Sequence, residues 1–208
     1  MKQTLKSETT QEHILTAAAQ VFAEKGYHQT RVDDIVEASG TSKGSVYFHF
    51  PSKQEIFFSI VDRFADILAR GLKKAIDAES HGIDRVDAAL RTCLDIFGKY
   101  KQLAKIFLIQ ATGLGEIFEE KRQAVNARFM AVIQEYLDEA IAEGDIPAMD
   151  TEVAAMAWMG AIYEVVIRWV LTGEPTPARS MPTLRLILLR SVGVSESRLA
   201  KLEESVQA

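Results

Sequence analysis

The stretch Thr30–Phe57, TRVDDIVEASGTSKGSVYFHFPSKQEIF, decides how the rest of the chain is read. From Ala38 to Lys53 it contains Lys43 and Lys53 but no acid. Hydroxyl side chains stand at Ser39, Thr41, Ser42 and Ser45, followed by the rings of Tyr47, Phe48 and Phe50. The whole chain of 208 residues has a formal charge of −5, so this acid-free window is a local feature. Asp33 and Asp34 sit where a first helical turn welcomes negative charge, the Thr30 hydroxyl is placed to cap that helix, and Gly40 ends it. The next helix starts at Thr41 or Ser42 and must stop near Phe50, because the residue before Pro51 is driven out of helical geometry. Ser52-x-x-Glu55 is a capping box that opens a long helix through Phe57, Ile60, Val61, Phe64, Leu68 and Leu72.

Upstream, Thr9-x-x-Glu12 is a second capping box, Ile14, Ala18, Val21 and Phe22 recur at helical spacing, and Gly26 stops the segment. Short helices joined by the tight turn Ser39-Gly40-Thr41 have the layout of a helix-turn-helix. If Val46 and Phe50 face inward onto Phe22, Val32 and Ile35, the outward face of the third helix carries Lys43, Gly44, Ser45, Tyr47 and His49. Small residues let a helix sit deep in the major groove of DNA. Hydroxyls, lysine and backbone amides suit phosphate oxygens, and a carboxylate would be repelled there. Residues 1–53 balance six bases (Lys2, Lys6, Lys25, Arg31, Lys43, Lys53) against six acids (Glu8, Glu12, Glu24, Asp33, Asp34, Glu37). A few phosphate contacts per subunit are therefore expected, each worth about 0.9 in the slope of log K against log salt.

These residues resemble the DNA-binding signature of the tetracycline-repressor (TetR) family, with its x-K-G-x-[VIL]-Y-x-[HY]-F run followed by x-[SN]-K-x-x-[LI]. ILTAAAQVFAEKGYHQT, Ile14–Thr30, is similar to the family's first helix and the corner after it. The resemblance covers about the first sixty residues. It implies a dimer on a palindromic operator, with Arg31, Thr41, Ser42, Lys43, Gly44, Ser45, Tyr47, His49 and Lys53 lining the DNA, and Tyr47, His49 and Lys53 mainly on phosphates. It also implies a helical C-terminal bundle that encloses a small-molecule effector. Residues 1–53 are read as the DNA-binding domain, extending into the start of the helix from Ser52, and 54–208 as the ligand-binding and dimerisation domain. The long helix from Ser52 to Ala78 is read as the lever between them.

Apolar residues keep helical spacing almost throughout, so the fold class is all-α. Further helices are read at Asp84–Phe97, Lys101–Ala111, Glu116–Glu143, Asp150–Leu171 and Pro182–Val192, with a tail helix around Ser195–Glu204. Trp158, Ile162, Val165 and Trp169 repeat with a seam-like spacing, Val166 coats the adjacent face and Gly160 permits close approach, so this helix is expected to meet a second copy. In the resembled family the last two long helices of each subunit form the dimer interface. Leu184, Ile187 and Leu188 of the following helix are assigned to it with Trp158, Ile162, Val165, Val166 and Trp169. The aromatic residues of the middle helices supply the expected pocket: Phe64, Leu68, Phe97, Phe107, Phe118 and Phe129, with Trp158. The segment from Met156 to Pro175 is similar to the equivalent helix of TetR members that respond to fatty acyl-CoA, which together with the scarcity of charge in the apolar stripes points to a hydrophobic or amphipathic effector.

Composition bounds the alternatives. A hydrophobic content of 48% can bury a substantial core, and the single Cys93, among Leu90, Leu94 and Phe97, is read as a core thiol. The N-terminal residues lack the apolar core of a signal peptide, and a cytoplasmic location is expected. Arg168 and Arg185 interrupt the most apolar segments, so no membrane span is expected. Asp33, Asp34 and Glu37 form a DDxxE-like run as in magnesium-dependent terpene synthases, the enzyme alternative, but their place in a first helical turn explains them. Gly113-x-Gly115 is too short for a phosphate loop, and His13, His28, His49 and His81 share no metal-ligand spacing. No catalytic residue, metal or cofactor is assigned. A non-catalytic protein-interaction module is the remaining alternative.

Overall fold

A computed structural model describes residues 2–111 and 114–207; Gly113 lies outside them. Its elements are ten α-helices and one π-helical segment, with no strand among the described residues. They form two compact units: residues up to Asp66 with Lys101–Arg122, and Ile67–Tyr100 with the chain from Gln123 onward.

The first unit begins with α1, Lys2–Lys25. It starts well before the Thr9 capping box, because Lys2–Thr10 contains neither glycine nor proline and offers several good helix formers. Gly26 ends it at a φ of 83°, conformational space that a side chain would strain, and its N–H bonds to the Phe22 carbonyl at 2.8 Å. Thr30 does not cap α2, Val32–Ser39: its buried hydroxyl donates to the Gly26 carbonyl at 2.7 Å. Arg31 occupies the cap position instead, and its N–H donates to the Asp34 carboxylate at 2.7 Å. Gly40, at a φ of 62°, closes α2.

The third helix, α3, Lys43–His49, starts as expected, with the Ser42 hydroxyl accepting the Ser45 N–H at 3.1 Å. Val46, Phe50, Ile35 and Phe22 are buried. Val32 is half-buried. The fourth helix, α4, runs from Lys53 to Ile76 and supplies residues to both units. After α6, Lys101–Lys105, the winding widens into the π-helical segment Ile106–Gln110, with the Ala111 N–H on the Ile106 carbonyl. The Lys105 ammonium donates to the Ala23 carbonyl at 2.6 Å and the Gln110 amide to the Phe22 carbonyl at 2.7 Å, satisfying last-turn acceptors of α1. The compact unit around the head is thus larger than residues 1–53.

The second unit packs α5, Gly82–Lys99, against α8, Thr151–Thr172, and α9, Pro177–Ser191. The seventh helix, α7, Glu116–Ala142, begins in the first unit and continues into the second, and α10, Glu196–Gln207, ends the described chain. Helix α9 starts five residues before Pro182: Pro177 fits the first turn, the Thr176 hydroxyl accepts the Arg179 N–H at 3.2 Å, and Pro182 lies inside the helix. Asp87, wholly buried on α5, is shared by Arg185 of α9 and by Arg91 at 3.1 Å, so its carboxylate is not left bare. Helix α8, at 22 residues, is long and apolar enough to cross a membrane by length and composition alone, a test that the core helix of a soluble protein also passes. Arg168 sits near its end rather than interrupting it. Its Trp158, Ile162 and Val166 are buried within the unit.

Candidate nucleic-acid interface and ligand cavity

The residues of α3 divide between an inward and an outward face. Val46 and Phe50 anchor it, and Lys43, Gly44 and Tyr47 stand exposed on the other side, with Ser45 and His49 half-buried. The cap residue Ser42 and Arg31 are also exposed, and Thr41 is half-buried with its hydroxyl 2.8 Å from that of Ser39. Gly44 faces open space: a Cβ there would meet only the Ser42 hydroxyl, at 3.9 Å. Packing does not require this glycine, which costs a helix about 0.5–1 kcal/mol relative to alanine. Close approach of an outside body would.

Several candidate residues are engaged within the protein. Lys43 pairs with Asp33 at 2.7 Å, and this carboxylate holds its ammonium above the usual lysine range. Both partners are exposed, so the pair is a weak one that a phosphate can replace. Lys53 is held more firmly: it donates to the carbonyls of Tyr27 at 2.7 Å and Thr30 at 2.9 Å, with the Tyr27 ring 4.4 Å away. Burial pushes this ammonium below the usual range. With two of its three N–H groups committed, Lys53 first of all fixes the corner between α1 and α2. Sequence reading missed Phe48. It is 80% exposed, though absent from the outward face expected of the third helix.

The two aspartates of the DDxxE-like run are explained locally. Asp33 is paired with Lys43. Asp34 accepts from the Arg31 N–H and lies 2.9 Å from Lys25, and these donors hold its carboxyl below the usual range. Among the described residues no group of three or more His, Cys, Asp or Glu side chains is placed to hold a metal ion.

In the second unit an apolar cavity of about 60 Å³ lies among Leu68, Leu72, Leu90, Phe97, Phe129, Trp158 and Ile162, with Cys93, Tyr136 and Tyr163 also on its wall. Burial pushes the Cys93 thiol up to about 12, so it lines the cavity as a protonated, apolar group. Tyr163 donates its hydroxyl to the Asn126 side chain at 2.6 Å. Of the expected pocket residues, Leu68, Phe97, Phe129 and Trp158 are brought together. Phe64, Phe107 and Phe118 are not. Phe64 and Phe107 pack on each other at 5.9 Å, and Phe118 sits 5.1 Å from Tyr27 and 5.5 Å from Phe57, all within the first unit. A groove of about 250 Å³ shares Leu72, Phe129, Val132 and Tyr136 with the cavity and carries Lys73, Arg128 and Glu135 on its walls.

The residues of the expected dimer face are placed mostly inside their own unit. Trp158, Ile162, Val166, Trp169, Leu184 and Leu188 are buried in their own unit and Val165 is half-buried, leaving Ile187, 57% exposed, as the outward member of the set. The outward stripe of α8 is a different one: Val153, Met156, Ala157, Gly160, Glu164, Arg168 and Leu171. Large side chains gain most from burial, so the heaviest apolar stripe packed inward and the lighter one was left outside.

The sequence profile of the bacterial regulatory proteins of the tetR family matches residues 14–60. The transcriptional activator FasR of Mycolicibacterium smegmatis is 34% identical over 82 residues, 39% of this chain and 37% of that protein. The match therefore spans little more than a third of FasR. The fatty acid metabolism regulator protein of Bacillus subtilis is 22% identical over 162 residues, 77% of this chain and 84% of that protein. The crystal structure of the regulator FadR from Bacillus subtilis in complex with stearoyl-CoA shares the fold, with a TM-score of 0.78, 21% identity, and coverage of 89% of this chain and 99% of that one.

Proposed function

We propose, on the premise that this chain is a member of the TetR family, that it is a DNA-binding transcriptional regulator whose hold on an operator is set by an amphipathic small molecule. The observation that carries the reading is the outer face of α3, where Lys43, Gly44, Tyr47 and Phe48 stand exposed in a window without a carboxylate. Arg31, Thr41, Ser42, Ser45 and His49 flank that face and complete the DNA contact set. Lys53 contributes at most its third N–H to a phosphate. The protein acts in the cytoplasm by binding rather than by turnover, and as a repressor when its operator overlaps a promoter.

The effector is an acyl chain bearing an anionic head, the class to which the stearoyl-CoA held by FadR belongs. The apolar cavity suits the chain, and Lys73 and Arg128 on the adjoining groove suit the head. A volume of about 60 Å³ is far below the roughly 300–1,000 Å³ that ligand pockets occupy, so the walls must part for a long chain to enter. That requirement couples binding to shape: only a ligand with higher affinity for the opened form can shift the equilibrium away from the DNA-competent one. Helix α4 supplies residues to both the head and the cavity wall, and is the element through which the change passes.

The active form is a homodimer joined through the outward stripe of α8 and through Ile187 of α9. Residues 1–53 serve as the DNA-binding domain and the remainder as the effector-binding and dimerisation domain. Selection of genomic fragments with the purified protein, then binding to the recovered site with and without a series of acyl-CoAs, tests the whole reading. A recovered palindrome released by one chain length is the expected result; a folded dimer that enriches no sequence would overturn it.

A further inference from the structure

We infer that Phe48 reads the 5-methyl group of a thymine in each operator half-site, which makes it a specificity-determining residue. The inference rests on the DNA-binding reading above. Its starting point is an anomaly: a phenylalanine 80% exposed, on a helix of seven residues whose burial needs are already met by Val46 and Phe50. Folding gains almost nothing from this ring.

The surroundings of Phe48 leave room for a base edge. Gly44 lies one helical turn before it, exposed and with open space where a side chain would be. Tyr47 stands beside it. The His49 ring meets it edge to face at 5.1 Å and braces it from the C-terminal side. The nearest acid of α2 that reaches this helix, Asp33, is tied to Lys43 at 2.7 Å.

The chemistry then narrows the target. A phenyl ring neither donates nor accepts the hydrogen bonds by which most base edges are read, and it gains nothing from a phosphate. In the major groove the one apolar group on any base edge is the thymine methyl. A ring that meets a base edge in the groove therefore tells one base pair from another through that methyl.

The test uses the full-length dimer on the operator recovered by selection, with each thymine replaced in turn, symmetrically, by deoxyuridine, which removes only the methyl. The wild-type protein is expected to lose about fourfold per methyl at one thymine position, the factor that burying one such group supplies, and more than tenfold when both half-sites are changed. Phe48→Ala is expected to bind the thymine operator correspondingly less well and to be indifferent to deoxyuridine at that position. Phe48→Leu should keep part of the discrimination, and unchanged thermal unfolding of both variants would show that the fold is intact. A wild-type protein insensitive to every thymine-to-uracil change overturns the inference, as does a Phe48→Ala variant that remains as sensitive as wild type. Loss of affinity in Phe48→Ala with no deoxyuridine effect places the ring between base steps or against sugar, and also overturns it. If selection yields no operator, the DNA-binding reading fails and this one with it.

Discussion

Helices α3 and α8 both leave large apolar side chains in solvent, but they do so for different reasons. In α3, seven residues long, burial of Val46 and Phe50 fixes the orientation and leaves Tyr47 and Phe48 outside; with so few residues there is one way to seat it. Helix α8 has 22 residues and apolar side chains on nearly every face, so the sequence allows several seatings. The difference teaches that exposed apolar residues are informative only after the buried set is known. In α8 that set was chosen by the helices around it.

The sharpest way to break this comparison is to place a charge on each side of α8. Ile162→Asp or Val166→Asp buries an unpaired carboxylate and is expected to abolish cooperative folding, at a cost of several kcal/mol, seen as loss of the thermal transition. The double variant Val153→Glu with Leu171→Glu alters residues 55% and 63% exposed, and should leave the subunit folded while sedimentation reports monomers and operator affinity collapses. Monomers from the first pair with an intact fold would reverse the assignment of the two faces.

Smaller effects sharpen it. Ala89→Leu fills the cavity and should weaken acyl-CoA binding by roughly tenfold while operator binding without effector is unchanged; calorimetry and a gel-shift titration read the two separately. Lys53→Ala removes the donor to the Tyr27 and Thr30 carbonyls and is expected to cost ~1–3 kcal/mol of stability. Its salt slope decides the rest: a fall of about one assigns the third N–H to a phosphate, and an unchanged slope makes the lysine structural alone. The smallest effect belongs to Asp34→Asn. A carboxyl held below its usual range stabilises the fold at neutral pH, and that contribution is lost as pH falls through the folded-state value. The melting temperatures of wild type and variant should differ at pH 7 and converge as the solution is acidified below the ordinary carboxylate range.

How much was legible in the sequence follows from the range of the forces involved. Gly26 and Gly40 as stops, Ser42 as a cap and Pro51 as a break act within a few residues, and each falls where the sequence places it. The signal at Thr9 failed because a cap is only one bid among several: nothing upstream breaks a helix, so propensity carried α1 back to Lys2. Thr30 does not cap α2, and the internal bonds of Lys53 were not foreseen, for a related reason. Both are polar groups beside a functional surface, and whether they face outward depends on unpaired carbonyls, those of Gly26, Tyr27 and Thr30, that only the folded corner brings within reach.

By itself the sequence determined the all-α class, the succession of α2 and α3 across the Gly40 turn and the inward anchors Val46 and Phe50, because periodicity and short-range capping are enough for elements of two or three turns. Tertiary structure alone decided that Phe64, Phe107 and Phe118 pack within the head unit while Leu68, Phe97, Phe129 and Trp158 converge on a cavity, and that α8 turns Val153, Gly160 and Leu171 outward instead of Ile162 and Val166. The physical reason is that hydrophobic burial is non-directional. An apolar side chain states that it will be covered, and only the arrangement of the surrounding helices states by what.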